Sequence, residues 1–152
     1  MTSSTIPVHR ATLDELDQPT LYRLMALRQA VFVVEQHCVY PDLDGRDLEP
    51  QTEHIWTADE QGPTSYLRLL TDPSGEALRI GRVCTRADAR GTGLAAALLA
   101  DVLAGNPGQT IVLEAQEHLA GWYGRYGFTV SGAGYVEDGI PHLPMRREPT
   151  DA

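Results

Sequence analysis

The sequence predicts a mixed α/β protein in which helices flank one β-sheet, and three observations lead to this prediction. The chain has 152 residues, the size of one ordinary domain, so we expect a single domain over residues 1–152. Its hydrophobic fraction is 42%, which is typical of a soluble globule with one sizeable core. Strand-like segments alternate with apolar helical ones, and a strand, a turn, a helix and another strand follow each other in the middle of the chain.

Short strands and one amphipathic helix are predicted for the first half of the chain. Apolar and polar residues alternate in residues 6–12, which predicts a first strand. Apolar residues three and four apart predict a helix over residues 21–34, with Thr20 as its N-cap. Residues 38–53 hold two Pro, one Gly and five acids, so we expect a long ordered loop of the kind that carries function. The next elements are the two strands of a hairpin, residues 54–58 and 65–70.

The second half of the chain supplies the central unit of the predicted sheet. Residues 77–85 predict a strand, and an Arg- and Gly-rich turn follows it. Ala and Leu are so dense in residues 94–104 that we expect a helix buried against the sheet. Residues 111–113 form an all-apolar run, typical of a buried central strand. The remaining predicted elements are a brief helix over residues 118–125 and strands near residues 128–136 and 140–146.

Net charge limits the classes of partner. The chain carries 21 acidic and 12 basic residues, all of the latter Arg, for a formal net charge of −9. A nucleic-acid-binding protein needs a basic stripe to displace counterions from phosphates, and docking on anionic lipid also needs basic groups, so we expect neither nucleic acid nor membrane as a partner. Cationic or small neutral partners fit this charge better.

The cysteine content and the N-terminal residues indicate where in the cell the protein is expected. Cys38 and Cys84 are too few for a disulfide scaffold or a four-ligand zinc site, and we expect no bound metal. No C-x-x-C motif is present either. Both observations fit a protein of the reducing cell interior. The first residues have no basic flank or apolar core, and no uncharged run reaches ~18 residues, so the expected location is the cytoplasm.

The turn before the helix at residues 94–104 carries an anion-binding motif. Gly91 and Gly93 let the backbone approach a ligand closely, and the N–H groups of a helix start lack helical acceptors, so the turn predicts a phosphate site. The P-loop lysine is absent, which excludes a Walker nucleotide site. Gly91, Gly93 and Ala96 also match a dinucleotide fingerprint, but seven residues separate Val83 from Gly91 and too little chain follows for the remaining parallel strands.

Several segments resemble one family. Residues 90–95, Arg-Gly-Thr-Gly-Leu-Ala, resemble the R/Q-x-x-G-x-G/A signature of the GNAT superfamily of acetyl-CoA-dependent acyltransferases. Residues 122–128 resemble its aromatic-Tyr-x-x-x-Gly-Phe segment, and residues 27–36, 40–45 and 137–142 are similar to its ElaA-like branch. The resemblance implies a GNAT-type domain with a mostly antiparallel sheet of six to seven strands, a central splay and about four flanking helices.

The resemblance also implies acetyl-CoA as the donor. Its pyrophosphate would lie on N–H groups at the helix start, and its pantetheine arm would pair with strand backbone near Val83 and Thr85. Cys84 is expected to be a packed strand residue and not an acyl carrier, because GNAT enzymes transfer the acyl group directly to the acceptor amine. The implied donor-binding residues are Val83, Cys84, Thr85, Arg90, Gly91, Thr92, Gly93, Leu94, Ala95 and Gln116.

The implied reaction is N-acetylation of a primary amine on a small molecule or a peptide. An alkyl amine with a pKa of ~10.4 enters as an ammonium ion and must lose a proton to a base. Tyr123 matches the family's general acid, which protonates the departing CoA sulfur. Glu114 follows a central strand run, and Glu35 lies in an ElaA-like segment, so both are candidate bases. Glu35, His54 and His118 are candidate acceptor contacts, with a purely structural role as the alternative for the two histidines.

Charged residues are unevenly distributed along the chain, and the acidic stretch has two interpretations. Residues 35–60 contain eight acids and one Arg, and residues 79–90 contain four Arg and one Asp. The acids are expected either to border a cationic acceptor or to form a solvated face, and the arginines to border the polyanionic donor.

The chain could instead be a non-catalytic acyl-CoA-binding module, or an acyltransferase like the acyl-homoserine-lactone synthases. A monomer and a homodimer both fit.

Overall fold

A computed structural model describes residues 5–150, and within them one open sheet of eight strands carries three α-helices. In this described part, no helix is long and apolar enough to cross a membrane. The predicted mixed α/β fold is confirmed. The strands are β1 (His9–Ala11), β2 (Glu53–Asp59), β3 (Gly62–Thr71), β4 (Leu78–Thr85), β5 (Ile111–Gln116), β6 (Thr129–Val130), β7 (Tyr135–Glu137) and β8 (Ile140–Arg147), and the helices are α1 (Gln18–Arg28), α2 (Leu94–Gly105) and α3 (Ala120–Gly124).

One parallel pair interrupts the antiparallel sheet. The strand order is β1-β2-β3-β4-β5-β8-β6, with β7 also paired to β8. The two parallel strands, β4 and β5, pair only over residues 78–80 and 111–113. Just beyond, Arg82 has a φ of +55°, and the register between β3 and β4 shifts, which marks a β-bulge. The strands part at this bulge, and the central splay that the resemblance implied is therefore present.

The numbers of strands and helices differ from the prediction. Residues 128–136, predicted as one strand, contain two short ones, because β6 and β7 pair separately with β8. The predicted helix over residues 118–125 begins as a 3-10 turn, Glu117–Leu119, and only then becomes α3. The helix predicted over residues 21–34 is α1 followed by a π-helical segment, Gln29–Glu35. Its N-cap is Asp17, whose carboxylate accepts the N–H of Thr20 at 2.7 Å, so the prediction of Thr20 as N-cap is wrong.

The core lies on both faces of the sheet because neighbouring strand residues point to opposite sides. Leu67 packs with Leu98 and Val102 under α2, as the dense Ala and Leu pattern predicts. Tyr66, the residue before Leu67, packs with Leu24 of α1 on the other face. Helix α1 and its π-helical extension therefore form one layer, and α2 forms the other.

Buried ion pairs attach the loop between the π-helical segment and β2 to the sheet. Arg28 is 0% exposed, and its guanidinium donates to Asp42 at 3.0 Å and to Asp47 at 2.7 Å. Arg68 of β3 donates to Asp44 at 2.6 Å and to Asp47 at 3.1 Å. Because the two arginines share Asp47, they connect α1, the loop and β3 in one charge network.

Candidate active site

A cleft of about 780 Å³ opens where β4 and β5 separate. Beyond residue 80 the edge of β4 that faces β5 has no strand ladder on it. Backbone donors and acceptors of that edge are thus open to an extended ligand. Residues that line the cleft include Gln36, Arg79, Val83, Glu114, Gln116, Tyr123, Glu137, Asp138 and His142.

The loop before α2 has the geometry of an anion site. Gly91 and Gly93 have φ values of +78° and +83°, in the left-handed region that glycine favours. The N–H of Ala97 makes the first bond of α2, to the Gly93 carbonyl at 3.1 Å, so the N–H groups before it are helix-start donors. The Thr92 hydroxyl donates to the Ala89 carbonyl at 2.7 Å and holds the turn. These donors at the positive end of a helix dipole fit the pyrophosphate of a CoA thioester.

Arg90 and Glu35, both predicted site residues, are bound to each other. The Arg90 guanidinium donates to both Glu35 carboxylate oxygens, at 2.5 and 2.6 Å, and its Nε donates to the Thr85 carbonyl at 3.2 Å. The hydrogen bonds from Arg90 lower the pKa of Glu35. Glu35 therefore lies next to the phosphate loop as a paired carboxylate, which is unfavourable for a base, and it does not line the cleft.

The predicted pantetheine strand divides its side chains between two faces. Val83 lines the cleft, whereas Cys84 is 5% exposed and packs in the α1 layer beside Tyr66. Burial raises the pKa of the Cys84 thiol to about 12, so the thiolate is disfavoured. This arrangement agrees with the expectation that the Cys84 side chain packs in the core and that only its backbone contacts the ligand.

Tyr123 is a buried phenol at the wall of the cleft. It lies on α3, is 6% exposed and lines the cleft. Burial raises the pKa of its phenol to about 12, so the hydroxyl keeps its proton at neutral pH. Among residues 5–150 that hydroxyl has no hydrogen-bond partner. Trp122 and Phe128 hold the ring with centroids at 4.9 and 6.0 Å in edge-to-face contacts.

Glu114 and Gln116 enter the cleft from β5, and both make side-chain hydrogen bonds. One Glu114 oxygen accepts from Arg79 at 3.1 Å, and the other accepts from the Tyr135 hydroxyl at 2.8 Å. The Gln116 amide donates to the Gln36 side-chain oxygen at 3.2 Å, which ties β5 to the end of the π-helical segment. A carboxylate that faces a guanidinium and a phenol is already satisfied, so this geometry does not favour Glu114 as a proton acceptor.

Neither histidine expected to contact an acceptor lies in the cleft. His54 is 0% exposed, with one ring nitrogen 2.7 Å from the Tyr66 hydroxyl and the other 3.4 Å from the Asp47 carbonyl. Burial lowers the pKa of His54, which keeps the ring neutral. The structural alternative fits His54, because its side chain points into the α1 layer. His118 is exposed on the 3-10 turn after β5 and does not line the cleft.

Ion pairing changes the interpretation of the uneven charge distribution. Seven of the eight acids in residues 35–60 lie within ion-pair distance of an arginine. Every arginine in residues 79–90 also has an acidic partner. Most of these acids are therefore ion-paired and do not form a free negative surface. Glu35, Asp42, Asp44 and Asp59 pair with arginines of residues 79–90, and the other three pair with arginines elsewhere in the chain.

His142 of β8 also lines the cleft, although the ElaA-like segment that contains it does not indicate a role for this residue. It lies opposite Gln116 on one side and Tyr135 on the other. Strand register, which brings these three positions together, cannot be obtained from a motif search. In the described ranges, no group of three or more His, Cys, Asp or Glu side chains is arranged to hold a metal ion.

Comparison with known proteins gives consistent matches over most of the chain. A family model described as an acetyltransferase (GNAT) domain matches residues 26–149. A UPF0039 protein of Mycobacterium tuberculosis is 43% identical over 146 residues, which cover 94% of each chain. The crystal structure of an acyl-CoA N-acyltransferase from Pseudomonas aeruginosa has a TM-score of 0.87 at 39% identity and covers 93% of this chain and 99% of its own. Escherichia coli ElaA has a TM-score of 0.88 at 36% identity, with 94% and 99% covered.

Proposed function

The chain belongs to the GNAT acetyltransferase family, and from this premise we propose that it transfers an acetyl group from acetyl-CoA directly to a primary amine. In this proposal one GNAT domain acts in the cytoplasm on a small molecule or an exposed peptide amine. The observation that carries the proposal is the cleft at the open edge of β4, which both Val83 and Tyr123 line, while Arg90 of the phosphate loop donates to the Thr85 carbonyl at the end of the same strand.

Donor binding depends on backbone in this proposal. The N–H groups of Gly91, Thr92, Gly93, Leu94 and Ala95 bind the pyrophosphate, and Arg90 adds a charge beside them. The pantetheine arm follows the edge of β4 from Thr85 to Val83, like an added strand. Gln116 lies at the far end of this path, where its amide contacts the arm.

The chemical step forms a C–N bond and breaks the C–S bond of the thioester. The neutral amine attacks the carbonyl carbon, and the electrons of the C–S bond leave with sulfur. Tyr123 gives its proton to the departing thiolate, because a phenol with a pKa of about 12 is protonated at neutral pH. The ammonium form of the acceptor loses two protons overall; one restores Tyr123, and the other goes to solvent.

Thiol release from acetyl-CoA across a panel of amines tests this proposal. We expect turnover with at least one primary amine and an N-acetylated product by mass spectrometry. CoA binding without turnover on any amine would favour the non-catalytic acyl-CoA-binding module. A preference for longer acyl-CoA donors would favour the function of the acyl-homoserine-lactone synthases.

A further inference from the structure

We propose that His142 is the general base that takes a proton from the acceptor amine. This inference rests on the proposed function, since it names the group that activates the acceptor in the same cleft. Four features of His142 support this role: its strand register, the hydrogen bond of one ring nitrogen, the contacts of the ring and the charges around it.

The register places His142 beside Gln116 in the cleft that Tyr123 also lines. In β8 it pairs with Gln116 of β5 and with Tyr135 of β7. Side chains that face each other across antiparallel strands lie on the same face, with Cβ atoms ~5 Å apart. Gln116, Tyr123 and His142 all line the cleft, so the imidazole shares one cavity with the proposed proton donor.

The hydrogen bond of one ring nitrogen defines the tautomer. Nδ1 of His142 lies 2.8 Å from the Ile140 carbonyl oxygen. A carbonyl only accepts, so Nδ1 carries the proton and Nε2 has a free lone pair in the neutral ring. Within residues 5–150 Nε2 has no hydrogen-bond partner. The neutral ring can therefore accept a proton at Nε2, directly or through one water.

A stacked aromatic ring holds the His142 imidazole in this orientation. Tyr135 stacks on His142 with centroids 5.5 Å apart and planes at 12°. The Tyr135 hydroxyl donates to Glu114, and Arg79 donates to the other oxygen of the same carboxylate. Glu114 is thus a positioning residue in this proposal: it orients Tyr135, and Tyr135 orients the base.

The charged and titratable groups near His142 come from three strands and one turn. Glu114 lies in β5, Tyr135 and Glu137 lie in β7, and Asp138 lies in the turn between β7 and β8. Arg79 and Arg82 of β4 are cations that line the same cleft, and they are paired with Glu114 and Asp42, respectively. Glu137 and Asp138 line the cleft, so they attract an ammonium group toward His142.

The proton balance of the step is complete without another reactant. The R–NH3+ acceptor gives one proton to Nε2, and the resulting R–NH2 attacks the thioester carbon. As the C–N bond forms, the leaving thiolate takes the proton of Tyr123, the second proton of the nitrogen replaces it on the phenol, and Nε2 of His142 gives its proton to solvent. One proton reaches solvent for each acetyl group transferred.

The test compares His142→Asn with His9→Asn. An Asn amide can still donate to the Ile140 carbonyl but cannot act as a base, and His9 is an exposed residue of β1 stacked on Trp56. We expect His142→Asn to lower kcat about 10²-fold at pH 7 with an alkyl amine. The deficit should shrink about tenfold per pH unit from pH 7 to 9, because more acceptor is already neutral. His9→Asn should have the same kcat as the unmodified protein at each pH.

Three outcomes would overturn the assignment. A deficit that stays constant with pH would make His142 structural, and so would a variant with normal kcat. Long-range 1H–15N spectra supply a readout that needs no turnover: the neutral His142 ring should carry its proton on Nδ1, and the opposite tautomer would contradict the proposal. If the unmodified protein acetylates no amine, the proposed function itself has failed, and the spectra still report on the ring.

Discussion

The guanidinium of Arg90 binds both carboxylate oxygens of Glu35, at 2.5 and 2.6 Å, although 55 residues separate them in the chain. This pair joins the end of the π-helical segment to the loop proposed to bind the pyrophosphate. Both side chains are half-exposed, so salt and a polyanionic ligand can reach the pair. A phosphate that contacts Arg90 must compete with Glu35.

We therefore expect Glu35→Gln to strengthen acetyl-CoA binding, about three- to tenfold at low ionic strength, because a carboxylate beside the phosphates is removed. Calorimetric titration at two salt concentrations measures the effect, which should diminish at high salt. Glu148→Gln, at an exposed carboxylate paired with Arg146, is the matched control. Weaker binding in Glu35→Gln would show that Glu35 instead preorganises Arg90 for the ligand.

Tyr123→Phe should lower kcat about 10²- to 10³-fold and leave acetyl-CoA affinity nearly unchanged. The variant keeps the buried ring and its contacts with Trp122 and Phe128 but removes the hydroxyl. Steady-state kinetics and a CoA titration together separate the two quantities. Tyr126→Phe, on a partly buried ring of the same aromatic group, should behave like the parent. Unchanged turnover in Tyr123→Phe would remove Tyr123 from the mechanism.

Gly93→Val should abolish acetyl-CoA binding, because a branched side chain at the helix start blocks the approach of the phosphates. The substitution also strains a residue whose φ is +83°. Gly75→Val is a close control for strain: Gly75 has a φ of +77°, and a Cβ there also meets open space, but it lies in the turn between β3 and β4. Thermal unfolding should show similar losses for both variants, and calorimetry should show lost binding only for Gly93→Val. Normal affinity there would contradict the donor site.

Arg28→Met should destabilise the protein by about 3 kcal/mol, because it removes the most buried cation of the network and leaves Asp42 and Asp47 with one arginine each, Arg82 and Arg68. Urea unfolding measures this change. Arg146→Met removes an exposed arginine from its pair with Glu148 and should leave the midpoint nearly unchanged. Equal midpoints for the two variants would show that the buried network contributes nothing to stability.

Stability should fall as the pH drops below about 4. Burial raises the pKa of Asp47, but hydrogen bonds and charges from Arg28 and Arg68 offset it, and the net pKa lies below the usual value. A lowered carboxyl pKa in the folded state means that the unfolded chain binds more protons as the pH falls, so acid favours unfolding. Unfolding free energy measured between pH 3 and 6 should rise with pH. A flat profile would contradict the predicted contribution of Asp47.

Local sequence patterns were sufficient to predict several elements. Ala and Leu density predicts α2, and the apolar run at residues 111–113 predicts β5, because a helix or strand buried against a sheet leaves a signature in its own residues. The glycines of the phosphate loop are equally local, since their left-handed φ values depend on the turn itself. The C-terminal strands were harder to predict, because the division into β6 and β7 depends on how each pairs with β8.

Family membership and the mixed α/β fold follow from patterns that can be recognised in the residues alone, and the glycine turn before α2 is predicted in the same way. Which of the candidate polar side chains share one cleft depends on tertiary contacts. The tertiary structure separates His54 and Glu35 from the cleft, and it places His142 there beside Gln116. The physical reason is that burial, ion pairing and strand register are contacts between residues distant in sequence. A motif identifies the type of side chain at a position, but only those contacts determine which groups are satisfied and which remain free to react.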